Sequence, residues 1–180
     1  MMKIARFPGR FQPFHLGHLH TIKKILENNH KIVIAVRDTP IANRNPFSLQ
    51  ERKQIINLSL KEDQIDPTRC KIVIIPDICP QWVKIIEKLI RFDAIYTGNH
   101  QIKDPFENSP YPVIHVSRNG QGVDYSGTKI RKCLAKNKSI LEYAHPQTSK
   151  LIYRLYKNRY KQLSKYSLSS LPMHSLSHTS

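Results

Sequence analysis

The chain has 180 residues, enough for one domain with a substantial core. Its three cysteines, Cys70, Cys79 and Cys133, are widely spaced and form no C-x-x-C pair, which argues against both a disulfide framework and a structural zinc site. No run of about 18 apolar residues and no leader-like start occurs, so we expect a soluble, cytoplasmic protein without a membrane partner. The net charge of +16 implies an acidic partner such as a nucleotide, a nucleic acid or an anionic surface.

Short apolar runs recur along the chain and are typical of buried strands. They lie at 4–7, 32–36, 72–75, 94–96 and 113–116. The segments between the first four runs are long enough to hold helices. This alternation predicts an α/β fold with a central parallel sheet flanked by helices.

A histidine-containing motif follows the first apolar run. Residues 9–18 read Gly-Arg-Phe-Gln-Pro-Phe-His-Leu-Gly-His. If a helix begins near Leu16, His15 and His18 lie one turn apart at its N-terminus, where backbone N–H groups and the helix dipole favour an anion. Gly17 lets a ligand approach the backbone. A metal site is the alternative, but no cysteine or carboxylate has ligand spacing here, so the motif favours a phosphate.

Apolar residues between the strands recur at helical spacing. The first three predicted helices contain Leu19, Ile22, Ile25 and Leu26, then Ile55, Ile56 and Leu60, then Val83, Ile86, Leu89 and Ile90. Ser48 and Glu51 form a predicted capping box at the start of the second helix.

A second polar motif, Asp-Tyr-Ser-Gly-Thr-Lys-Ile-Arg, occupies residues 124–131 and leads into another predicted helix. Ser126 is the predicted N-cap, and the Thr128 hydroxyl and Arg131 guanidinium could both reach an oxyanion at the helix start. Considered alone, the motif fits an ordinary capped helix with basic surface residues better than an anion site.

The final predicted helix runs from Pro146 to about Leu163 and carries many lysines and arginines. Residues 164–180 are rich in serine and histidine, a composition typical of disorder. We therefore predict one domain over residues 1–163, followed by a disordered tail over 164–180.

Together, the motifs at 9–18 and 126–131 resemble the two signatures of the nucleotidyltransferase superfamily, in the same order. Further segments are similar to the archaeal-type nicotinamide-nucleotide adenylyltransferases; they lie at 45–48, 51–52, 76–78, 82–83 and 96–99. The resemblance covers about residues 3 to 160. It implies a Rossmann-like fold with ATP lying across the strand ends.

The resemblance also implies a reaction in which the 5′-phosphate of nicotinamide mononucleotide attacks the α-phosphorus of ATP, giving NAD and pyrophosphate. Its catalytic residues would be Arg10, His15 and His18, and Mg²⁺ would be bound mainly through ATP. The residues implied to bind ATP are Gly9, Arg10, His15, His18, Gly98, Asn99, Ser126, Thr128 and Arg131.

For the mononucleotide, the resemblance implies Arg44, Asp77 and Trp82. Trp82, the only tryptophan, would stack on the nicotinamide ring, but a core residue on the third helix fits the sequence equally well. Asp77 would balance the charge of the ring or simply end a strand, and Arg44 could be an ordinary loop arginine. Residues 37–42 depart from the small, serine-rich loop of the family.

Other functions stay open at this point. Related enzymes use flavin mononucleotide or pantetheine phosphate as acceptor, and the sequence does not separate nicotinamide from nicotinate mononucleotide. The high positive charge also allows a basic nucleic-acid-binding protein on this scaffold, although no aromatic stacking platform is visible and nucleic acid is not the expected partner. Enzymes of this type often form homo-oligomers.

Overall fold

The structure is a computed structural model and describes residues 3–77, 82–89, 91–98, 106, 109–116 and 123–169. A single parallel sheet with strand order β3-β2-β1-β4-β5 forms its centre. The strands are β1 (Ile4–Gly9), β2 (Lys31–Arg37), β3 (Cys70–Ile75), β4 (Ala94–Thr97) and β5 (Val113–His115). All five predicted strands and their parallel arrangement are confirmed.

The helices are α1 (Leu16–Asn28), α2 (Leu49–Glu62), α3 (Trp82–Leu89), α4 (Gly127–Ala135) and α5 (Pro146–Ser169), with a 3-10 turn at Pro67–Arg69. The capping box of α2 is confirmed, because the Glu51 N–H donates to Ser48 Oγ at 3.2 Å and the Ser48 N–H donates to Glu51 Oε2 at 2.6 Å. None of the described helices combines the length and apolar composition needed to cross a membrane.

The last helix is longer than predicted. It ends at Ser169 rather than near Leu163. No glycine or proline occurs between residues 147 and 171, so the sequence offers no strong break where the prediction ended the helix. Residues 170–180 lie outside the described residues, so a disordered tail and the domain boundary stay predictions.

Two cores lie on opposite faces of the sheet because strand side chains alternate. Ile32, Ile34 and Val36 join the larger core, which also contains apolar residues of α1, α2, α4 and α5. Ala35 joins the smaller core with Trp82 from α3. All carboxyl ends of the strands lie at one edge, and the order of strands reverses beside β1, which produces the crevice where ligands bind in such sheets.

The central strand carries a buried cation. Arg6 lies on β1 between Val33 and Ile95, is fully buried, and holds its guanidinium 5.0 Å from the centre of the Phe92 ring. Burial lowers the pKa of Arg6 to about 10. None of its three guanidinium nitrogens has a hydrogen-bond partner within the part of the chain that the structure describes. The contact with Phe92 compensates only part of the cost of removing the charge from water.

We therefore expect Arg6→Met to raise the free energy of unfolding by about 1 to 3 kcal/mol, since methionine removes the desolvated charge and retains most of the volume. Chemical denaturation measures this change. Arg69→Met is the matched control, because the Arg69 guanidinium donates to the carbonyls of Leu26, Asn29 and His30, and its loss should lower stability. A loss of stability in Arg6→Met would contradict the prediction.

Candidate active site

A cleft of about 170 Å³ opens at the carboxyl edge of the sheet. It is lined by Phe7, Pro8, Gly9, Arg10, Phe11, Gln12, Pro13, His15, His18, Arg37, Thr97, Gly98, Ser126, Gly127, Thr128 and Arg131. The two sequence motifs therefore meet in one site although more than a hundred residues separate them. Eight of the nine residues predicted to bind ATP line this cleft, and they are Gly9, Arg10, His15, His18, Gly98, Ser126, Thr128 and Arg131.

The loop after β1 turns tightly over the ring of Phe11. A Cβ atom on Gly9 would lie 2.7 Å from that ring, so only glycine fits. Phe11 itself adopts a left-handed backbone conformation with φ of 51° and is buried, with its ring edge-on to His18 at 5.0 Å. This local packing holds the floor of the cleft against α1.

His15 and His18 lie at the start of α1, as predicted. Their rings stack with centroids 3.7 Å apart, and the Phe14 ring also stacks with His18, at 5.1 Å. The His15 backbone N–H donates to His18 Nδ1 at 3.2 Å. Because Nδ1 accepts this bond, the neutral His18 ring carries its proton on Nε2, where it can donate to an anionic ligand.

The second motif approaches the first loop through Gly127 and Arg131. Arg131 donates from Nη1 to the Gln12 carbonyl at 2.6 Å and from Nη2 to Thr128 Oγ1 at 3.0 Å. A Cβ on Gly127 would lie 3.0 Å from the same carbonyl, so glycine permits this close contact. Ser126 occupies the N-cap position as predicted, but its side chain forms no capping bond and lines the cleft.

Positive charge accumulates around the cleft. Burial lowers the pKa of Arg10, and the charges of Arg37 and Arg44 lower it further, with Asp77 opposing them. Burial also lowers the pKa of Arg131, again assisted by Arg10 and Arg44. Arg44 is exposed on the turn between Ala42 and Asn45, at the rim of the site. Cations that repel one another in this way favour a polyanionic ligand.

The residues predicted for the mononucleotide are not all at the cleft. Asp77 lies beside it and pairs with Arg37. Trp82 is fully buried, donates from Nε1 to the Pro76 carbonyl at 2.9 Å, and packs edge-on against Phe106. This position matches the core alternative, and the stacking role of Trp82 stays a prediction.

Asn99, predicted to bind ATP, lies outside the described residues, whereas its neighbour Gly98 lines the cleft. Within the described residues, no group of three or more histidine, cysteine, aspartate or glutamate side chains could hold a metal ion.

Gln12 and Arg52 hold the site together, although the sequence analysis assigned neither of them a role. The Gln12 side chain donates to the Phe47 carbonyl at 2.8 Å and accepts from the Phe47 N–H at 3.0 Å. Arg52 donates from Nη1 to the carbonyls of Arg10 and Arg37, at 2.9 and 2.7 Å. One signal was available for Arg52, which lies at helical spacing from the buried Ile55 and Ile56 and therefore faces inward.

Comparison with known proteins identifies a family that this chain matches. A family model described as cytidylyltransferase-like matches residues 6–133. The chain is 34% identical over 140 residues to nicotinamide-nucleotide adenylyltransferase 1 of Sulfolobus acidocaldarius, a match that covers 74% of this chain and 78% of that protein.

Solved structures show the same fold. The bifunctional NMN adenylyltransferase/ADP ribose pyrophosphatase from Francisella tularensis superposes with a TM-score of 0.68 at 26% identity. The match covers 97% of this chain and 58% of that longer protein. The structure of the Francisella tularensis protein complexed with AMP and a manganese ion gives a TM-score of 0.64 at 25% identity, with the same coverage of both chains.

Proposed function

The chain belongs to the cytidylyltransferase-like family, and we propose that it transfers the adenylyl group of ATP to nicotinamide mononucleotide, giving NAD and pyrophosphate. A curated relative that carries this activity in its name matches over most of both chains. The chain is thus an adenylyltransferase of NAD synthesis. The pyrophosphatase activity named for the longer Francisella tularensis protein is not part of this proposal.

The convergence of two distant motifs on one cationic cleft carries the proposal. The cleft brings Arg10, His15 and His18 within one site with Thr128 and Arg131. These side chains are hydrogen-bond donors suited to phosphate oxygens, and they surround the crevice where this sheet topology binds nucleotides.

The chemistry needs few reactive side chains. An oxygen of the acceptor 5′-phosphate attacks the α-phosphorus of ATP, and the bond from that phosphorus to the bridging oxygen of the β-phosphate breaks, releasing pyrophosphate. Because the attacking phosphate is already a nucleophile, no covalent enzyme intermediate is required. The protein has to align two anions and stabilise the charge at the reacting phosphorus.

The donors divide among the phosphates. His18 contacts the α-phosphate through Nε2–H, and His15 and Arg10 help to hold the triphosphate. Thr128 and Arg131 bind the β- and γ-phosphates at the start of α4. Gly9, Ser126 and Gly98 let the nucleotide lie against the backbone, and Asn99 contacts the adenosine or ribose.

Mg²⁺ enters this proposal bound to ATP. The carboxylate and imidazole groups of the described residues form no cluster that could hold a resident ion, and phosphate oxygens with water are ligands that Mg²⁺ prefers. The manganese ion in the Francisella tularensis structure supports the use of a divalent cation. When bound, the ion neutralises phosphate charge.

Product analysis tests the function directly. The purified protein is incubated with ATP and Mg²⁺ and, in separate reactions, with nicotinamide, nicotinate or flavin mononucleotide or pantetheine phosphate, and pyrophosphate and product mass are measured. We expect NAD from nicotinamide mononucleotide. If only flavin mononucleotide or pantetheine phosphate gave a product, that compound would be the acceptor in place of nicotinamide mononucleotide. No pyrophosphate with any acceptor would contradict the enzyme function and favour nucleic-acid binding, which should weaken steeply with salt.

His18→Ala should lower kcat by about 100- to 1000-fold, because the lost donor acts on charge that develops at the α-phosphorus. Steady-state kinetics with both substrates measures the effect, and denaturation checks the fold. His20→Ala is the matched control on the same helix, since His20 does not line the cleft. Normal turnover in His18→Ala would contradict a role of His18 in the reaction.

Trp82→Phe separates the two roles of Trp82. Phenylalanine retains an aromatic ring and avoids the stability loss of about 3 to 5 kcal/mol expected for Trp82→Ala in a packed core. If Trp82 stacks on the nicotinamide ring, Trp82→Phe raises KM for the mononucleotide and leaves KM for ATP nearly unchanged. An equal rise in both KM values would assign Trp82 to the core alone.

A further inference from the structure

Arg37 is a cleft residue that no motif assigns. It ends β2, lines the cleft, and pairs with Asp77, which follows β3. Asp77 Oδ1 accepts from Arg37 Nε at 2.7 Å and from Arg37 Nη2. The Arg37 side chain is only 12% exposed, against 44% for Asp77, so the guanidinium is held in the wall of the cleft.

The pairing with Asp77 leaves one edge of the guanidinium for a ligand. Arginine presents five N–H donors in a planar fork, and Asp77 engages those of Nε and Nη2 on one side. Nη1 forms no hydrogen bond to any described residue. The edge formed by Nη1 and Nη2 can therefore bind two oxygens of a phosphate while Asp77 keeps the group oriented.

The strand order separates Arg37 from the donors proposed for ATP. Those donors come from the loop after β1, the start of α1, the end of β4 and the start of α4, whereas Arg37 is the cleft residue contributed by β2, on the other side of β1. An in-line transfer needs the attacking and leaving oxygens on opposite sides of the phosphorus. The acceptor phosphate then approaches from the β2 side, where Arg37 lies.

We propose that Arg37 binds the 5′-phosphate of the acceptor and that Asp77 is a positioning residue that orients the Arg37 guanidinium. This inference rests on the proposed function. It assigns phosphate binding to a residue particular to this chain, because Arg37 begins the segment 37–42 that replaces the small, serine-rich loop expected from the resemblance. The Arg37 backbone is fixed independently, since its carbonyl accepts from the buried Arg52.

Arg37→Met and Arg37→Lys test the role of the guanidinium. Arg37→Met should raise KM for the mononucleotide by about 10- to 100-fold while KM for ATP changes less than about twofold, because a charged phosphate contact is lost. Arg37→Lys keeps the charge without the fork and should give a smaller rise. Arg91→Met is the matched control, since Arg91 is exposed near the amino edge of the sheet.

A binding measurement without turnover isolates the phosphate. Calorimetry compares nicotinamide mononucleotide with nicotinamide riboside, which lacks the phosphate, on the wild type and on Arg37→Met. The preference of the wild type for the mononucleotide should fall by about 10-fold or more in the variant. An unchanged preference, or an equal rise in KM for both substrates, would overturn the assignment of Arg37.

Asp77→Asn tests the positioning role. It should raise KM for the mononucleotide several-fold without lowering kcat comparably, and most of this rise should disappear in the Arg37→Met background, because Asp77 orients the Arg37 guanidinium. Additive effects of the two substitutions would overturn that role. If the wild-type protein forms no dinucleotide, the proposed function is contradicted. If the wild type is active but Arg37→Met keeps the same preference for the phosphate, this inference alone is contradicted.

Discussion

The hydrogen bonds of one buried guanidinium hold the active-site edge of the sheet in place. Arg52, 1% exposed, reaches from α2 to the carbonyls of Arg10 and Arg37 at the ends of the two neighbouring strands β1 and β2. Burial lowers the pKa of Arg52, and the carboxylates of Asp38 and Asp77 partly oppose this shift. The guanidinium thus fixes two backbone segments whose own side chains carry charges that repel each other.

This arrangement explains why the cleft is suited to an anion. Arg10 and Arg131 are partly desolvated, and neighbouring cations lower their pKa values further, so burial and repulsion both disfavour their charged forms. A triphosphate and a mononucleotide phosphate would remove this repulsion and replace it with charge-assisted hydrogen bonds. Burial and mutual repulsion of these cations therefore favour an anionic ligand, as is common at functional sites.

The two faces of the sheet differ in how their cores relate to the cleft. Close approach of the Gly127 backbone to Gln12 joins the two phosphate motifs over the larger core. The smaller core beneath α3 contains Trp82, whose indole is satisfied by the Pro76 carbonyl. For Trp82 to stack on a nicotinamide ring, this side of the site has to rearrange, whereas Arg37 already lies at the cleft.

Local patterns in the sequence determined the strands, the start of α1 with His15 and His18, and the capping box of Ser48, because these features depend on residues within a few positions of one another. Tertiary structure alone decided the rest. Gln12 meets Phe47 and Arg131, and Arg37 meets Asp77, across gaps in the chain that no local pattern encodes. The strand order brings Arg37 and Asp77 together at the ends of β2 and β3, and the packing of α2 and α4 against the larger core brings Phe47 and Arg131 to Gln12. The ring of Trp82 is buried for the same reason, since burial depends on what packs against a residue from distant parts of the chain.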